Sequence, residues 1–256
     1  MSIVAEQKLP VFGTNGYPLQ SGAVYGPIHS RRYGYSLGIN PLPVTYKFCD
    51  FDCVYCQYGW TPRAGSSASA KQTGGSAVLS AKNRTDPSSG GLGGKKTDEK
   101  LKSLPELFSE IEASFQRLEA RRTPVDVITI AGNGEPALYP QFLSFVKNLL
   151  ELRDRYYPGV RVGILSDSSQ CHRPEFKQAL ELLDERFMKL DAGDPATVQT
   201  VNRPVRGFNF KRTLEALKNL RLITLQALFV QGSYDNTQPA QIERWIEAVR
   251  FVMPEA

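Results

Sequence analysis

After residue 103, segments whose apolar residues recur at helical spacing alternate with short runs rich in Val, Ile or Leu. This alternation predicts alternating helices and strands. A helix begins at residues 103–105, and its apolar residues Leu107, Ile111 and Phe115 recur at helical spacing. The pattern predicts strands over 37–44, 125–131, 160–165, 187–190 and 223–230, and further helices over 142–155, 174–183, 210–220 and 239–252. Five strands alternating with about five helices predict an α/β fold built on a parallel sheet.

Two segments depart from this pattern. Residues 1–25 are mixed and turn-rich, and they predict an irregular N-terminal lead. Residues from about 64 to 103 consist mainly of Gly, Ser, Ala, Thr and Lys, so they cannot bury enough apolar surface to offset the entropy of ordering. We expect a low-complexity insertion there, inside one folded domain that spans residues 26–256.

The composition is that of an ordinary globular protein with a modest excess of basic residues. A chain of 256 residues with 41% hydrophobic residues can bury an ordinary core. Because the sequence has neither a basic segment leading into an apolar run nor about 20 consecutive apolar residues, we expect a cytoplasmic protein without a membrane partner. The formal net charge of +5 suits an anionic substrate such as a nucleotide, a tRNA or a phosphorylated metabolite. The basic residues are spread along the chain, so a solvated basic surface is the alternative.

Three of the four cysteines lie close together and predict a metal centre. Cys49, Cys53 and Cys56 form C-x-x-x-C-x-x-C, in which one short loop can wrap three thiolates around one centre. An electron-transfer cubane uses four cysteines, whereas three protein ligands leave one position open for a substrate. Disulfide-stapled secreted domains space their cysteines differently, so metal or redox chemistry fits this chain better.

Two other uses of these cysteines remain open from the residues alone. A structural zinc needs a fourth ligand, and the candidates Cys171, His29 and His172 lack the short spacing of a zinc finger or ribbon. A dithiol redox motif at Cys53 and Cys56 leaves the first cysteine unexplained, as well as the aromatic residues that can shield a cluster from water. Those aromatic residues are Phe48, Phe51, Tyr55 and Tyr58.

The cysteine motif, with an aromatic residue just before its last cysteine, resembles the signature of the radical S-adenosylmethionine superfamily. Other segments in the same order share the likeness. They are GPIHSRRYGYSLGINPLP before the cysteines, AGNGEP at 131–136, LSDSS at 165–169, KLDAGD at 189–194 and NRP at 202–204. Together they resemble a branch of Fe–S oxidoreductases related to wyosine-base (tRNA) synthases, over most of residues 26–232.

The resemblance implies a partial (β/α) TIM-like barrel of about five to six parallel strands, with its site at the carboxyl ends of the strands. The implied cofactors are a 4Fe–4S cluster on Cys49, Cys53 and Cys56, and S-adenosylmethionine bound to the open iron. An electron donor such as flavodoxin or ferredoxin is expected to drive cleavage of S-adenosylmethionine to a 5'-deoxyadenosyl radical. That radical abstracts hydrogen from a substrate, for which a tRNA base or another anionic molecule is expected. The superfamily usually has six strands, so five predicted strands imply either a shortened member or an edge covered by the N-terminal lead.

The resemblance also implies cofactor-binding residues at three strand ends. The segment similar to a GGEP-type motif, which contacts the amino group of S-adenosylmethionine, consists of Gly132, Asn133, Gly134 and Glu135. Ser166 and Asp191 end the next two strands and resemble residues that contact the ribose and carboxylate of the cofactor. From the residues alone, the first segment is equally a strand-to-helix turn, and the serines at 166–169 are equally helix caps.

Arg31, Arg32 and Arg203 lie in the matched segments. Because arginine suits bidentate binding of a carboxylate or phosphate, we expect substrate or cofactor contacts there, with ordinary surface arginines as the alternative. Cys171 and His172 are assigned no chemistry.

Two rival functions stay open. A non-catalytic iron–sulfur or zinc-binding protein would keep the cysteines but has no need of GNGEP or Asp191. A truncated, inactive remnant would keep every motif.

Overall fold

The computed structural model describes residues 11–31, 33–61 and 100–255, and these form one sheet flanked by helices. The strands are β1 (Val24–Ser30), β2 (Gly34–Ile39), β3 (Val127–Ile130), β4 (Arg161–Ser166), β5 (Glu185–Lys189) and β6 (Thr224–Gln226). The helices are α1 (Leu104–Ala120), α2 (Phe142–Tyr156), α3 (Pro174–Glu181), α4 (Pro195–Val201), α5 (Phe210–Lys218) and α6 (Pro239–Val252). A short 3-10 helix, Pro136–Leu138, follows β3.

The six strands lie in the sheet in chain order, with β1 at one edge and β6 at the other. Strands β2 to β6 are parallel, and Ile39, Ile130 and Ile164 stand side by side across β2, β3 and β4. These isoleucines are completely buried, as expected for a parallel sheet that has helices packed against it. The described sheet is open, which confirms the predicted α/β partial barrel.

Helices α1 and α2 pack on the sheet through buried aromatic and aliphatic side chains. Glu106 accepts a hydrogen bond from the N–H of Ser103 (2.9 Å) at the start of α1. Phe115 and Phe145 are completely buried, and the ring of Phe145 lies 5.7 Å from that of Phe108. This packing fixes the strands, and therefore fixes the loops that leave their carboxyl ends.

Strand β1 is not predicted by the hydrophobic pattern, because Gly26 and Pro27 interrupt it. Proline has no N–H to donate and is tolerated at the edge of a sheet, where β1 lies. The antiparallel register with β2 shifts between Tyr25 and Ile28, so the proline falls inside that irregularity. The sheet thus reaches six strands because an antiparallel strand covers the edge of β2.

The prediction of strand over 42–44 is wrong. Pro41 and Pro43 have no N–H to donate to a neighbouring strand. The side chain of Asn40 hydrogen-bonds to the backbone of Leu42, which lies between them. Its Oδ1 accepts from the N–H of Leu42 and its Nδ2 donates to the carbonyl of Leu42, both at 3.2 Å. The chain therefore turns out of the sheet after β2.

Strand β6 is shorter than the predicted 223–230. The N–H of Leu228 donates to Asp191 (2.8 Å), and the N–H of Val230 donates to Asn236 (2.7 Å). These side chains take the place of a neighbouring strand, so the ladder stops at Gln226. The seven-residue helix α4 is missing from the prediction because it is too short to show an apolar period.

Among the helices that the structure describes, none is both long and apolar enough to cross a membrane. Residues 62–99, which hold most of the predicted insertion, lie outside the described residues, as does Arg32. The division into a lead over 1–25 and a domain over 26–256 stays a prediction.

Candidate metal centre at the carboxyl ends of the strands

All three motif cysteines lie on one segment, residues 40–61, which leaves the carboxyl end of β2 and is called the cysteine loop here. On one side, the N–H of Phe48 donates to the carbonyl of Asn133 in the turn after β3 (2.7 Å). On the other side, the N–H of Val54 donates to the carbonyl of Val201 at the end of α4 (2.9 Å). Main-chain bonds from two distant elements therefore hold the loop.

Residues 13–20 of the N-terminal lead also lie against the cysteine loop. The N–H of Trp60 donates to Oγ1 of Thr14 (2.7 Å), and Nδ2 of Asn15 donates to the carbonyl of Cys56 (2.9 Å). This part of the chain is therefore bonded to the segment that carries the cysteines.

The four cysteines are free. Of the three in the loop, Cys49 is buried, whereas Cys53 and Cys56 are partly exposed.

Lys47 is a buried cation beside these cysteines. Its side chain is only 3% exposed, Nζ donates to the carbonyl of Gly59 (2.9 Å), and Nζ pairs with Asp52 (3.5 Å). Burial by itself lowers the pKa of Lys47, but the charges of the three motif cysteines and of Asp52 raise it, and the net pKa shift is upward. The ammonium group can therefore offset negative charge when the thiols become thiolates.

Two carboxylates crowd Cys49. Its Sγ, one oxygen of Asp50 and one oxygen of Asp167 lie within 4.8 Å of one another, and the thiol donates to Asp167 at 3.7 Å. Burial, followed by the charge of Asp167, raises the pKa of the Cys49 thiol. Burial, followed by the charge of Asp50, raises the pKa of Asp167, which also makes a side-chain hydrogen bond with Asp50. Apart from that carboxyl–carboxyl contact, Oδ1 of Asp50 is buried without a hydrogen-bond partner among the described residues. The two carboxyls can therefore share a proton or face a cationic group.

Cys53 faces a neutral donor. Nδ2 of Asn202 donates to Sγ of Cys53 (3.3 Å) and to Oδ2 of Asp191 (2.6 Å). Asp191 also accepts from the hydroxyl of Tyr55 and from the N–H of Leu228 (2.8 Å), so both of its oxygens have protein partners. Burial raises the pKa of the Cys53 thiol, and the hydrogen bond from Asn202 lowers it.

The glycines of the turn after β3 allow the cysteine loop to approach closely. Gly134 has φ 147°, a conformation that favours glycine, and a Cβ there would lie 1.8 Å from the carbonyl oxygen of Phe48. A Cβ at Gly132 would lie 2.0 Å from Oδ1 of Asn40. Both glycines are therefore needed for packing of the loop.

Asn133, between these glycines, is completely buried and fully bonded. Nδ2 donates to the carbonyls of Gln20 and Pro43, each at 2.9 Å, and Oδ1 accepts from the N–H of Gln20 (2.8 Å). Its side chain joins the N-terminal lead to the cysteine loop.

Glu135 connects the turns after β3 and β4. Oε1 accepts from Oγ of Ser166 (3.0 Å) and from the N–H of Ala137 (2.9 Å), and Oε2 accepts from the N–H of Asp167 (2.6 Å). Burial raises the pKa of Glu135 to about 7. The predicted cofactor residues Glu135 and Ser166 thus lie at the site and bond to each other.

The predicted substrate arginines occupy opposite ends of the sheet. Arg31 lies in the turn between β1 and β2, at the amino end of β2, whereas the cysteine loop leaves its carboxyl end. Six strand residues separate the two ends, which is roughly 20 Å. Arg203 lies beside the cysteine loop, with its guanidinium 4.9 Å from the ring of Trp60 and 4.6 Å from that of Tyr234. The structure brings Arg203 to the site and leaves Arg31 away from it.

A small cavity opens at the carboxyl ends of β4 and β5. Its polar lining includes Asp167, Lys189, Asp191 and Asn202, and its apolar lining includes Phe51, Val198 and Phe208. The cavity lining shows that Lys189 also lies at the site, where its Nζ is 3.7 Å from Oδ1 of Asp191.

Lys47, Asp50 and Asn202 are site residues that the sequence prediction does not assign. Lys47 and Asp50 adjoin the first cysteine, and Asn202 is the first residue of NRP. Because these residues lie in or next to the segments that resemble the family, the sequence contains a signal for them. Their contacts with the cysteines, however, depend on the fold.

Replacing Gly134 by alanine should displace the cysteine loop, because the new Cβ would overlap the carbonyl of Phe48. After anaerobic reconstitution with iron and sulfide, we expect several-fold less iron per chain than in the wild type, with unchanged helix content by circular dichroism. Gly207→Ala is the matched control, since Gly207 also has positive φ (96°) but no described atom lies within 4 Å of its Cβ position. Equal iron loading in the two variants would contradict this expectation.

The raised pKa of Glu135 predicts a pH dependence of stability in the metal-free chain. Between pH 4.5, the ordinary pKa, and about 7, the folded state holds a proton that the unfolded state has released. The free energy of unfolding should therefore fall as pH rises through this range, by about 1.4 kcal/mol for each unit of pKa shift. Urea denaturation at several pH values should show a flatter profile for Glu135→Gln. A profile as steep as that of the wild type would disprove the assignment.

A comparison with protein-family models matches residues 44–230 to the Radical SAM superfamily. Among curated proteins, a UPF0026 protein of Helicobacter pylori is 30% identical over 181 residues, which are 71% of this chain and 46% of that protein. UPF0026 protein slr1464 of Synechocystis is 27% identical over 241 residues, 91% of this chain and 72% of that protein. The chain thus spans about half the length of the Helicobacter relative.

Among solved structures, TYW1 with a lysine–pyruvate adduct bound superposes with a TM-score of 0.50 at 14% identity, over 85% of this chain and 61% of that one. At this identity the likeness concerns the fold alone. The superfamily match covers well over half of the chain, including the cysteine loop and strands β3 to β6. The chain therefore belongs to the radical SAM superfamily of enzymes, whose cofactors are a 4Fe–4S cluster and S-adenosylmethionine.

Proposed function

We propose that this chain holds a 4Fe–4S cluster on Cys49, Cys53 and Cys56 and cleaves S-adenosylmethionine reductively. The observation that carries the proposal is the set of three free cysteines on one loop, fixed across the carboxyl ends of the parallel strands. When bound, the cluster supplies the electron that splits S-adenosylmethionine into methionine and a 5'-deoxyadenosyl radical, which takes hydrogen from the substrate. Three protein ligands leave a coordination position for the cofactor.

The chain's own residues make the site suitable for this centre. Lys47 offsets thiolate charge from a buried position, and Asn202 donates to Cys53. Phe51 is 4% exposed and packs against Phe208, with ring centres 5.1 Å apart. These contacts exclude water from the side of the cysteine loop that faces the protein.

Asp50 is our candidate for the amino group of S-adenosylmethionine. The oxygens of Glu135 and Asp191 are engaged within the protein, so these residues support the site's shape. Apart from the carboxyl contact with Asp167, Oδ1 of Asp50 is, by contrast, buried without a partner among the described residues, next to Cys49. An ammonium group there would donate a charge-assisted hydrogen bond to that oxygen and so satisfy it.

The proposal includes a substrate class and an electron donor. We propose an anionic substrate, with tRNA first, because the formal net charge is +5 and Arg203 lies beside the cysteine loop, held between Trp60 and Tyr234. Flavodoxin or ferredoxin is the proposed source of the electron.

The main test is an anaerobic assay of 5'-deoxyadenosine in the chain reconstituted with iron and sulfide, with dithionite and S-adenosylmethionine added. We expect 5'-deoxyadenosine from the wild type and at least a hundredfold less from Cys53→Ala, since the cluster loses a ligand. Cys171→Ala is the control, because this buried cysteine lies between β4 and α3, outside the cysteine loop. It should behave as the wild type does.

Different results point to the rival functions. A cluster without cleavage would identify a binding protein or an inactive remnant, and zinc in place of iron would identify a zinc protein. In the same assay, added tRNA should increase 5'-deoxyadenosine if tRNA is the substrate. No increase with tRNA, together with an active wild type, would remove tRNA from the proposal.

Asp50→Asn should weaken binding of S-adenosylmethionine. Loss of a charge-assisted hydrogen bond is worth about 1.5–3 kcal/mol, so the concentration of S-adenosylmethionine for half-maximal 5'-deoxyadenosine formation should rise about tenfold or more. The control is Asp154→Asn on the exposed side of α2. An unchanged concentration dependence in Asp50→Asn would remove Asp50 from the cofactor site.

A further inference from the structure

Asn202 carries a side-chain amide that donates a hydrogen bond to Sγ of a motif cysteine, Cys53 (3.3 Å). It follows α4 as its C-cap residue and is 2% exposed. Its backbone is held on both sides, because its N–H donates to the carbonyl of Val198 (2.8 Å) and its carbonyl accepts from the N–H of Asp52 (2.9 Å). The side chain therefore leaves a fixed point at the edge of the cysteine loop.

The amide nitrogen of Asn202 makes three close contacts. Nδ2 lies 2.6 Å from Oδ2 of Asp191, 3.3 Å from Sγ of Cys53 and 3.3 Å from the hydroxyl oxygen of Tyr55. An asparagine amide has two hydrogens, so it can serve Asp191 and Cys53 at once. The hydroxyl of Tyr55 donates its own hydrogen to Asp191.

Asp191 is itself held rigidly. Its oxygens accept from the hydroxyl of Tyr55 and the N–H of Leu228, and its carbonyl accepts from Nδ2 of Asn236 (2.8 Å). With its side-chain acceptors occupied by protein groups, Asp191 acts on the site through Asn202.

We propose that Asn202 is a positioning residue that raises the reduction potential of the cluster through its hydrogen bond to Cys53. This inference rests on the proposed cluster. Reduction adds one electron from an external donor, and no bond is made or broken in that step. A hydrogen bond to a ligand sulfur stabilises the more negative, reduced form more than the oxidised form, because charge-assisted hydrogen bonds are the stronger ones. Removal of the donor should therefore make reduction harder.

The test compares the reconstituted wild type with Asn202→Ala and Asn202→Ser. The variants are titrated anaerobically with dithionite in the presence of redox mediators, and the reduced cluster is followed by electron paramagnetic resonance, after iron per chain has been measured. We expect the reduction equilibrium of Asn202→Ala to be about tenfold less favourable, which lowers the midpoint by about 59 mV for one electron. Asn202→Ser keeps a shorter donor and should fall between the two.

Asn209→Ala is the matched control, because Asn209 caps the neighbouring helix α5 by accepting from the N–H of Arg212 (2.9 Å). Its midpoint should equal that of the wild type. Unchanged midpoints in both Asn202 variants, at full iron loading, would overturn the inference and leave the proposed function standing. An equal shift in Asn209→Ala would also overturn it. Failure of the wild type to bind a cluster would overturn the proposed function, and the inference with it.

Discussion

Main-chain hydrogen bonds at both sides of the cysteine loop are the interaction on which the site depends. The loop is bonded to the turn after β3 through Phe48, and to the end of α4 through Val54. These partners are about 70 residues apart in the chain, and only the folded sheet brings them together. The folded sheet therefore sets the positions of the three thiols to which a metal centre would bind.

The second constraint is charge. Burial raises the pKa values of the Cys49 and Cys53 thiols, so the metal-free chain holds them protonated. Metal ligation requires thiolates, which means that protons must leave a region already crowded by Asp50 and Asp167. Lys47 is a buried positive charge beside the cysteines, and it offsets the negative charge of the thiolates. The carboxylates of Asp50 and Asp167 favour a cationic ligand on the Cys49 side. On the Cys53 side, the neutral amide of Asn202 is a hydrogen-bond donor.

The sequence pattern predicts well what depends on local periodicity, and poorly what depends on distant contacts. Runs of Val and Ile predict the parallel strands, and the spacing of Leu107, Ile111 and Phe115 predicts α1. The pattern does not predict β1, whose proline is acceptable only because neighbouring strands make it an edge. Cysteine spacing predicts that three thiols lie close together, because one loop carries all three. The donor from Asn202 becomes visible only when α4 is placed beside the loop, and the distance of Arg31 from the cysteines follows from the direction of β2.

The contacts of the N-terminal lead have a practical consequence for protein engineering. Thr14, Asn15 and Gln20 bond to Trp60, Cys56 and Asn133, so residues that look dispensable by composition form part of the wall of the site. A tag or fusion partner inserted between residues 13 and 20 would compete with these bonds and loosen the loop. The surface after α6 is a better place for attachment, because Met253 is 73% exposed and lies on a different segment from the cysteine loop. A chain tethered there would keep the cysteine loop undisturbed.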